Sequence, residues 1–244
     1  MIIGLADKRI KIENRYPYVE EYCREYMTDK ESDYDFSVHI MPEDIAFERQ
    51  KSEQEDVMEG REIRHFSDEY LETLAVYRRI AERMPCFDTV LFHGSCIAVD
   101  GEGYLFAAKS GIGKSTHTRL WRELLGERTV MVNDDKPLLR VNEEGSVIAY
   151  GTPWDGKHRL SSNIAVPLRA MCILERASDN VIREITKTEA YPMLLQQVYR
   201  PADPDAMRQT IFLLDRMDIK LYRLCCNMDI CAAELAYHTM GGFS

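Results

Sequence analysis

Residues 108–116 read Ala-Lys-Ser-Gly-Ile-Gly-Lys-Ser-Thr and constrain this chain more than any other stretch. The run fits A-x-x-x-x-G-K-S, a phosphate-binding loop pattern with Ala where a first glycine is usual. Gly111 and Gly113 can take backbone angles closed to other residues, so successive N–H groups can turn inward onto phosphate oxygens. Lys114 brings positive charge to the outer phosphates, and the Ser115 hydroxyl suits a position on Mg²⁺. The flanks agree. Residues 103–108 have the character of a buried strand, and residues 115–125 that of a helix whose N-terminus faces the anion. Lys109, Ser110, Gly111, Ile112, Gly113, Lys114, Ser115 and Thr116 are the predicted nucleotide contacts. The competing reading is a tight strand-to-helix turn with no ligand.

What precedes the loop is not a simple βαβ unit. Residues 89–93 read as a strand and residues 96–99 as its continuation or the next one. Asp100-Gly101-Glu102-Gly103 is a turn signal, which makes an antiparallel hairpin leading into the loop strand. A helix comes earlier. Ser67 caps it, apolar residues recur at helical spacing from Leu71 to Ala81, and Pro85 marks its end. After the loop helix, residues 128–132 form a strand that ends in Asn133-Asp134-Asp135-Lys136. A second hairpin (138–141 with 146–150), a strand over 168–174, and helices over 188–198, 204–216 and 228–239 follow, with a strand over 219–225 between the last two helices.

Acidic residues at the end of a strand neighbouring a phosphate loop commonly meet Mg²⁺, directly or through water. Two in succession allow two tasks, since one carboxylate can hold metal while the other accepts a proton from an attacking hydroxyl. Asn-Asp-Asp is equally good chemistry for a solvated turn. Following the loop, Asp134 and Asp135 become the predicted metal and base residues, with Ser115 as the third metal contact.

The run from Phe92-His93-Gly94, through the hairpin and the loop, to Asn133-Asp134-Asp135 resembles the catalytic domain of HPr kinase/phosphorylase. That family sets a His-Gly strand, a Ser-Gly-Ile-Gly-Lys-Ser loop and an Asp-Asp strand end in this order. The match covers residues 90–141, with the loop its most specific part. It implies a fold shared with the nucleotide-binding part of phosphoenolpyruvate carboxykinases, and ATP-dependent phosphorylation of a hydroxyl, usually a serine. It places Lys114 on the phosphates, Ser115 on Mg²⁺, one of Asp134 and Asp135 as base with the other beside the metal, and His93 near the acceptor. HPr kinase-type proteins assemble as hexamers, so the resemblance brings a homo-oligomer into view. There are departures. Residues 1–65 do not look like that family's N-terminal domain, Thr116-His-Thr-Arg-Leu120 replaces Glu-Thr-Ala-Leu, and the later signature that supports dephosphorylation is missing. The chain looks more like the compact HPr-kinase-like proteins that occur alone or beside peptide-modifying genes.

Residues 152–159, Thr-Pro-Trp-Asp-Gly-Lys-His-Arg, form a polar loop that carries a Trp. Lys157 or Arg159 could steady a transferring phosphoryl group, and Asn163 could orient an acceptor or a metal-bound water. The alternative is a surface loop packed over Trp154. Thr116 or His117 could touch the α-phosphate or the base, with packing the equal alternative, and Arg200 is a weaker candidate.

Composition narrows the partners. A net charge of −10 argues against nucleic acid, whose phosphate backbone attracts basic surfaces. No run approaches a membrane-spanning length, and the start of the chain lacks a charged stretch followed by an apolar one, so a soluble cytoplasmic protein with no membrane partner is expected. The seven cysteines include no C-x-x-C pair, which predicts reduced thiols rather than a zinc site or disulfide framework.

The predicted fold class is α/β: a mixed-sheet P-loop domain of the HPr kinase / phosphoenolpyruvate carboxykinase type over residues 66–244, with a small N-terminal α+β appendage over residues 1–65. The predicted activity is ATP- and Mg-dependent phosphoryl transfer to a serine-type hydroxyl on a protein, peptide or small molecule. The alternative is a non-catalytic nucleotide-dependent binding module or regulator. A carboxykinase-like reaction ranks last, because its metal-binding Lys/His set cannot be assembled here.

Overall fold

The computed structural model describes residues 1–28, 33–109, 111–156 and 159–242. It divides into two compact units, Met1–Arg83 and Met84–Ser244.

In the first unit, β1 (Ile2–Leu5) and β2 (Lys8–Glu13) form an antiparallel hairpin, and β3 (Phe36–His39) adds parallel to β2. Ala6 and Asp7 both take positive φ, +49° and +58°, the geometry whose twist matches a two-residue hairpin. Ile10, Ile12, Phe36 and Val38 are buried, every second residue of β2 and β3. The short helix α1 (Tyr18–Tyr22), then α2 (Pro42–Met58) and α3 (Asp68–Arg83) complete the unit. The residues from Phe47 to Met58, rich in charge, belong to α2. It is joined to α3 by polar contacts: Arg78 donates to Glu48 at 2.5 Å and to Asp44 at 2.8 Å. The sequence boundary at 65/66 placed α3 with the second domain, whereas the contacts place it in the first unit, because Leu71, Ala75, Val76 and Ile80 give it a buried face and α1 and α2 pack on it.

The second unit is built on a mixed nine-stranded sheet. Its strands are β4 (Thr89–Leu91), β5 (Ser95–Val99), β6 (Glu102–Ala107), β7 (Thr129–Asn133), β8 (Leu138–Val141), β9 (Val147–Tyr150), β10 (Ala165–Arg176), β11 (Val181–Glu184) and β12 (Lys220–Cys226). The order is β4-β8-β9-β10-β6-β5-β7, with β12 paired to β10 and β11 to β12. The expected hairpin is β5–β6, turned at Asp100-Gly101. On the other side, β6 pairs in parallel with β10, which pairs in parallel with β12.

Strand β6 is buried on both faces. Leu105 and Ala107 join one core with β10 residues Met171 and Ile173 and with α5 (Lys187–Gln197) and α6 (Pro204–Arg216). Tyr104, Phe106 and Ala108 join the other, with α4 (Lys114–Leu125) and α7 (Ile230–Gly241). A strand with helices over both faces reads as a continuous apolar run, and Tyr104–Ala108 is one. No helix among the described residues is long and apolar enough to cross a membrane.

Candidate active site at the head of helix α4

The loop that ends β6 opens directly onto α4. Gly111 and Gly113 have φ of +76° and +121°, and Gly113 stands at the N-cap position. A side chain at Gly113 would be strained in that backbone, so glycine is required. Among the described residues no side chain caps the helix, and its first turn holds no acidic residue. The N–H groups of that turn have no partner within the helix, so its positive end is not neutralised. Arg176, at the end of β10, donates to the Gly111 carbonyl at 2.7 Å and braces the loop from outside.

Opposite the loop, two backbone segments run side by side. Phe92 N–H donates to the Pro137 carbonyl and Gly94 N–H to the Asp135 carbonyl, at 3.1 and 3.0 Å. This stitching, with Cys96 paired to Asn133 across β5 and β7, sets the His-Gly segment beside the acidic turn. His93 Nε2 lies 3.1 Å from Asp135 Oδ1 and 3.2 Å from Lys114 Nζ. Three of the predicted catalytic residues, Lys114, His93 and Asp135, thus meet in one place.

That meeting is poised rather than settled. One ring nitrogen faces a pure donor and a pure acceptor, and it satisfies only one of them at a time. Burial lowers the Lys114 ammonium below the usual lysine value, against the opposing pull of Asp135 and Asp134. Burial would raise the Asp135 carboxyl, but the His93 hydrogen bond and the charges of Lys136, His93 and Lys114 outweigh it and hold Asp135 below the ordinary range.

Asp134 is buried and accepts from Ser95 Oγ at 3.1 Å. Ser95 Oγ is also 3.1 Å from Thr118 Oγ1, which in turn lies 3.3 Å from the carbonyls of Lys114 and Ser115. A polar chain therefore links the first turn of α4 to Asp134. Behind Asp134, a Cβ at Gly156 would stand 2.7 Å from Asp134 Oδ2, so the glycine leaves room for the carboxylate.

Asn133 organises the turn. Its side chain is fully buried, and its Oδ1 accepts from the N–H groups of Asp135 at 2.8 Å and Lys136 at 2.5 Å. Its Nδ2 donates to the Thr152 carbonyl and hydroxyl at 3.1 and 3.0 Å. One amide thereby fixes the acidic turn to the 152–154 loop.

The remaining predicted residues fall as follows. Ser115 is exposed and Thr116 half-buried in the first turn of α4, and Lys109 and Ile112 flank the bend. Ser110 and Lys157 lie outside the described residues. His117 is a packing residue: buried, it accepts from Trp121 Nε1 at 3.1 Å and sits edge-on to Phe106, and burial pushes its imidazole down to about 4. Trp154 is buried, and Arg159 lies 3.4 Å from both Asp155 and the Pro153 carbonyl. Asn163 and Arg200 are exposed. Sequence reasoning missed Ser95, Asn133, Gly156 and Arg176. Ser95, polar at the head of a strand that is otherwise apolar, was the one readable signal among them.

Among the described residues no three His, Cys, Asp or Glu side chains gather around a point that could hold a metal ion. The donor set fits Mg²⁺, which keeps several waters and takes one or two carboxylates with substrate phosphates, rather than a cation that needs a full protein cage. The bare helix end and the half-buried Lys114 likewise fit a polyphosphate.

A family model described as SynChlorMet cassette protein ScmC matches residues 62–232. The chain belongs to the ScmC family. A search of curated proteins gives no match. Among solved structures, the Hpr(Ser) kinase/phosphatase from Coxiella burnetii overlaps 62% of this ScmC-family chain and 95% of its own, with a TM-score of 0.36 and 11% identity.

Proposed function

We propose that this ScmC-family protein is an ATP- and Mg-dependent kinase that phosphorylates a serine-type hydroxyl. The observation that carries the reading is the meeting of Lys114, His93 and Asp135 at the uncapped head of α4. The loop residues Lys109 to Thr116 wrap the phosphates with backbone N–H groups. Lys114 leaves His93 for the outer phosphates, and the His93 Nε2–H then donates to Asp135 without competition. Asp135 is the more accessible of the two carboxylates and takes the proton of the acceptor hydroxyl. As the acceptor oxygen bonds to the γ-phosphorus, the bond to the β–γ bridging oxygen breaks and ADP departs. The lowered basicity of Asp135 is tolerable because a loose transition state asks for little deprotonation. Mg²⁺ would neutralise charge on the β- and γ-phosphates. Ser115 and the buried Asp134 would hold it, with Ser95 fixing Asp134.

Incubation with γ-labelled ATP, Mg²⁺ and a panel of serine peptides and small alcohols tests the proposal. Label transfer that vanishes in Asp135→Asn, with nucleotide binding retained, is the expected result. Tight ATP binding with no transfer to any acceptor, and no ATP turnover sensitive to Asp134 or Asp135, would favour the nucleotide-dependent binding module instead.

A further inference from the structure

A cleft of about 430 Å³ opens on the far side of the loop from the acidic turn. It lies among the carboxyl ends of β10 and β12, the loop, and the first turns of α4. This volume falls in the range of about 300–1,000 Å³ usual for small-molecule sites. We infer that it receives the base and ribose of the nucleotide, which rests on the kinase reading above and extends it to the other end of the substrate.

The direction follows from topology. Strand β6, which feeds the loop, has the antiparallel β5 and then β7 on one side, and β7 ends at the acidic turn. On its other side are β10 and β12, both parallel to β6. In open α/β sheets, ligands lie in the crevice outside the carboxyl ends of the strands. Lys114, beside His93 and Asp135, marks where the outermost phosphate goes. The phosphate chain therefore runs across the loop away from β7, and its inner end emerges at Gly113 and Thr116, on the rim of the cleft.

The walls suit a flat heteroaromatic ring. Ile112, Leu120, Leu174, Ala177 and Met228 supply apolar surface. Met228 is exposed at the rim and leaves a flexible thioether side chain for contact with a ring. Three polar side chains of the wall are already engaged. Arg176 holds the Gly111 carbonyl, Glu175 pairs with Arg223 at 3.1 Å, and Asn227 donates to the Ser178 carbonyl at 3.1 Å and accepts from Asp229 N–H at 3.0 Å. The wall is thus pre-formed, and it grips by contact with the ring face. Arg176 spans wall and loop, so filling the cleft steadies the phosphate bend.

Calorimetry of the full-length protein with MgATP and with magnesium tripolyphosphate, together with photolabelling by 8-azido-ATP and peptide mapping, tests the assignment. ATP is expected to bind at least roughly tenfold tighter than tripolyphosphate. Label is expected on residues 174–177 or 226–228, competed by ATP and lost in Lys114→Ala. Equal affinities for the two ligands, or label confined to other segments, would overturn the base site while leaving the phosphate loop standing. Binding of neither ligand would remove the kinase reading and the base site with it.

Discussion

Asn133 gives the sharpest test of how the acidic turn is held. In Asn133→Ala the Thr152 carbonyl, in a residue with no solvent exposure, loses its donor, and the N–H groups of Asp135 and Lys136 lose their acceptor. A buried polar group left unpaired costs about 1–3 kcal/mol, whereas the half-exposed turn N–H groups can recruit water and cost less. The sum is about 3 kcal/mol, or roughly 10 °C in Tm for a unit of this size. Asn133→Asp separates hydrogen bonding from lost volume. It keeps the shape and the acceptor for both N–H groups, but it turns an oxygen toward the Thr152 carbonyl and buries a charge. Its loss should equal or exceed that of alanine. Both tryptophans, Trp121 and Trp154, are buried in the second unit, so their fluorescence during urea unfolding reports on that unit alone. A loss below about 1 kcal/mol in Asn133→Ala, or an aspartate variant as stable as the parent, would refute the bracing role.

Three further outcomes are expected. His117 stays neutral in the folded state down to about pH 4, while an unfolded histidine protonates near 6.5, so stability is complete above 6.5 and declines as the pH falls from 6.5 to 4, by about 3 kcal/mol. His117→Gln should flatten that part of the urea-midpoint profile, and a superimposable profile would contradict the assignment. Gly156→Ala drives a methyl against the Asp134 carboxylate, and a displacement of this kind should lower phosphoryl transfer by roughly a hundredfold with little change in circular dichroism; unaltered turnover would show that Asp134 is not used. In the first unit, Arg78→Met strands the buried Glu48 without its partner and should cost about 3 kcal/mol or more by thermal melts followed at 222 nm, although Asp44 retains Arg79.

How much of this could be read beforehand depended on whether the signal was local. The loop, the hairpin before it and the acidic turn were legible because glycine, turn residues and two-sided apolar strands leave marks within a few positions. The edge strand β11 was missed: Val181–Glu184 is short, and none of it is buried. Helix α3 was legible as a helix, but its membership was not, because periodicity states which face is covered and not by what. Asn133 and Arg176 were opaque for a related reason. Each acts on residues far away in sequence, 152–154 and 111, so nothing in its own neighbourhood announces the role.

The position of His93 follows from the hairpin. Strand β5 runs antiparallel to β6 and lies between it and β7, so the acidic turn is two strands from the loop rather than one. His93, which precedes β5, sits between Lys114 and Asp135. The residues His93-Gly94-Ser95, which lead into β5, enter beside Asp135 and supply both links: His93 between Lys114 and Asp135, and Ser95 between Thr118 and Asp134. An all-parallel arrangement would put the acids next to the loop and leave no place for a histidine. The antiparallel insertion places a histidine between the two, and under the proposed kinase function its ring nitrogen, able to donate or accept, would suit a lysine that turns to a phosphate.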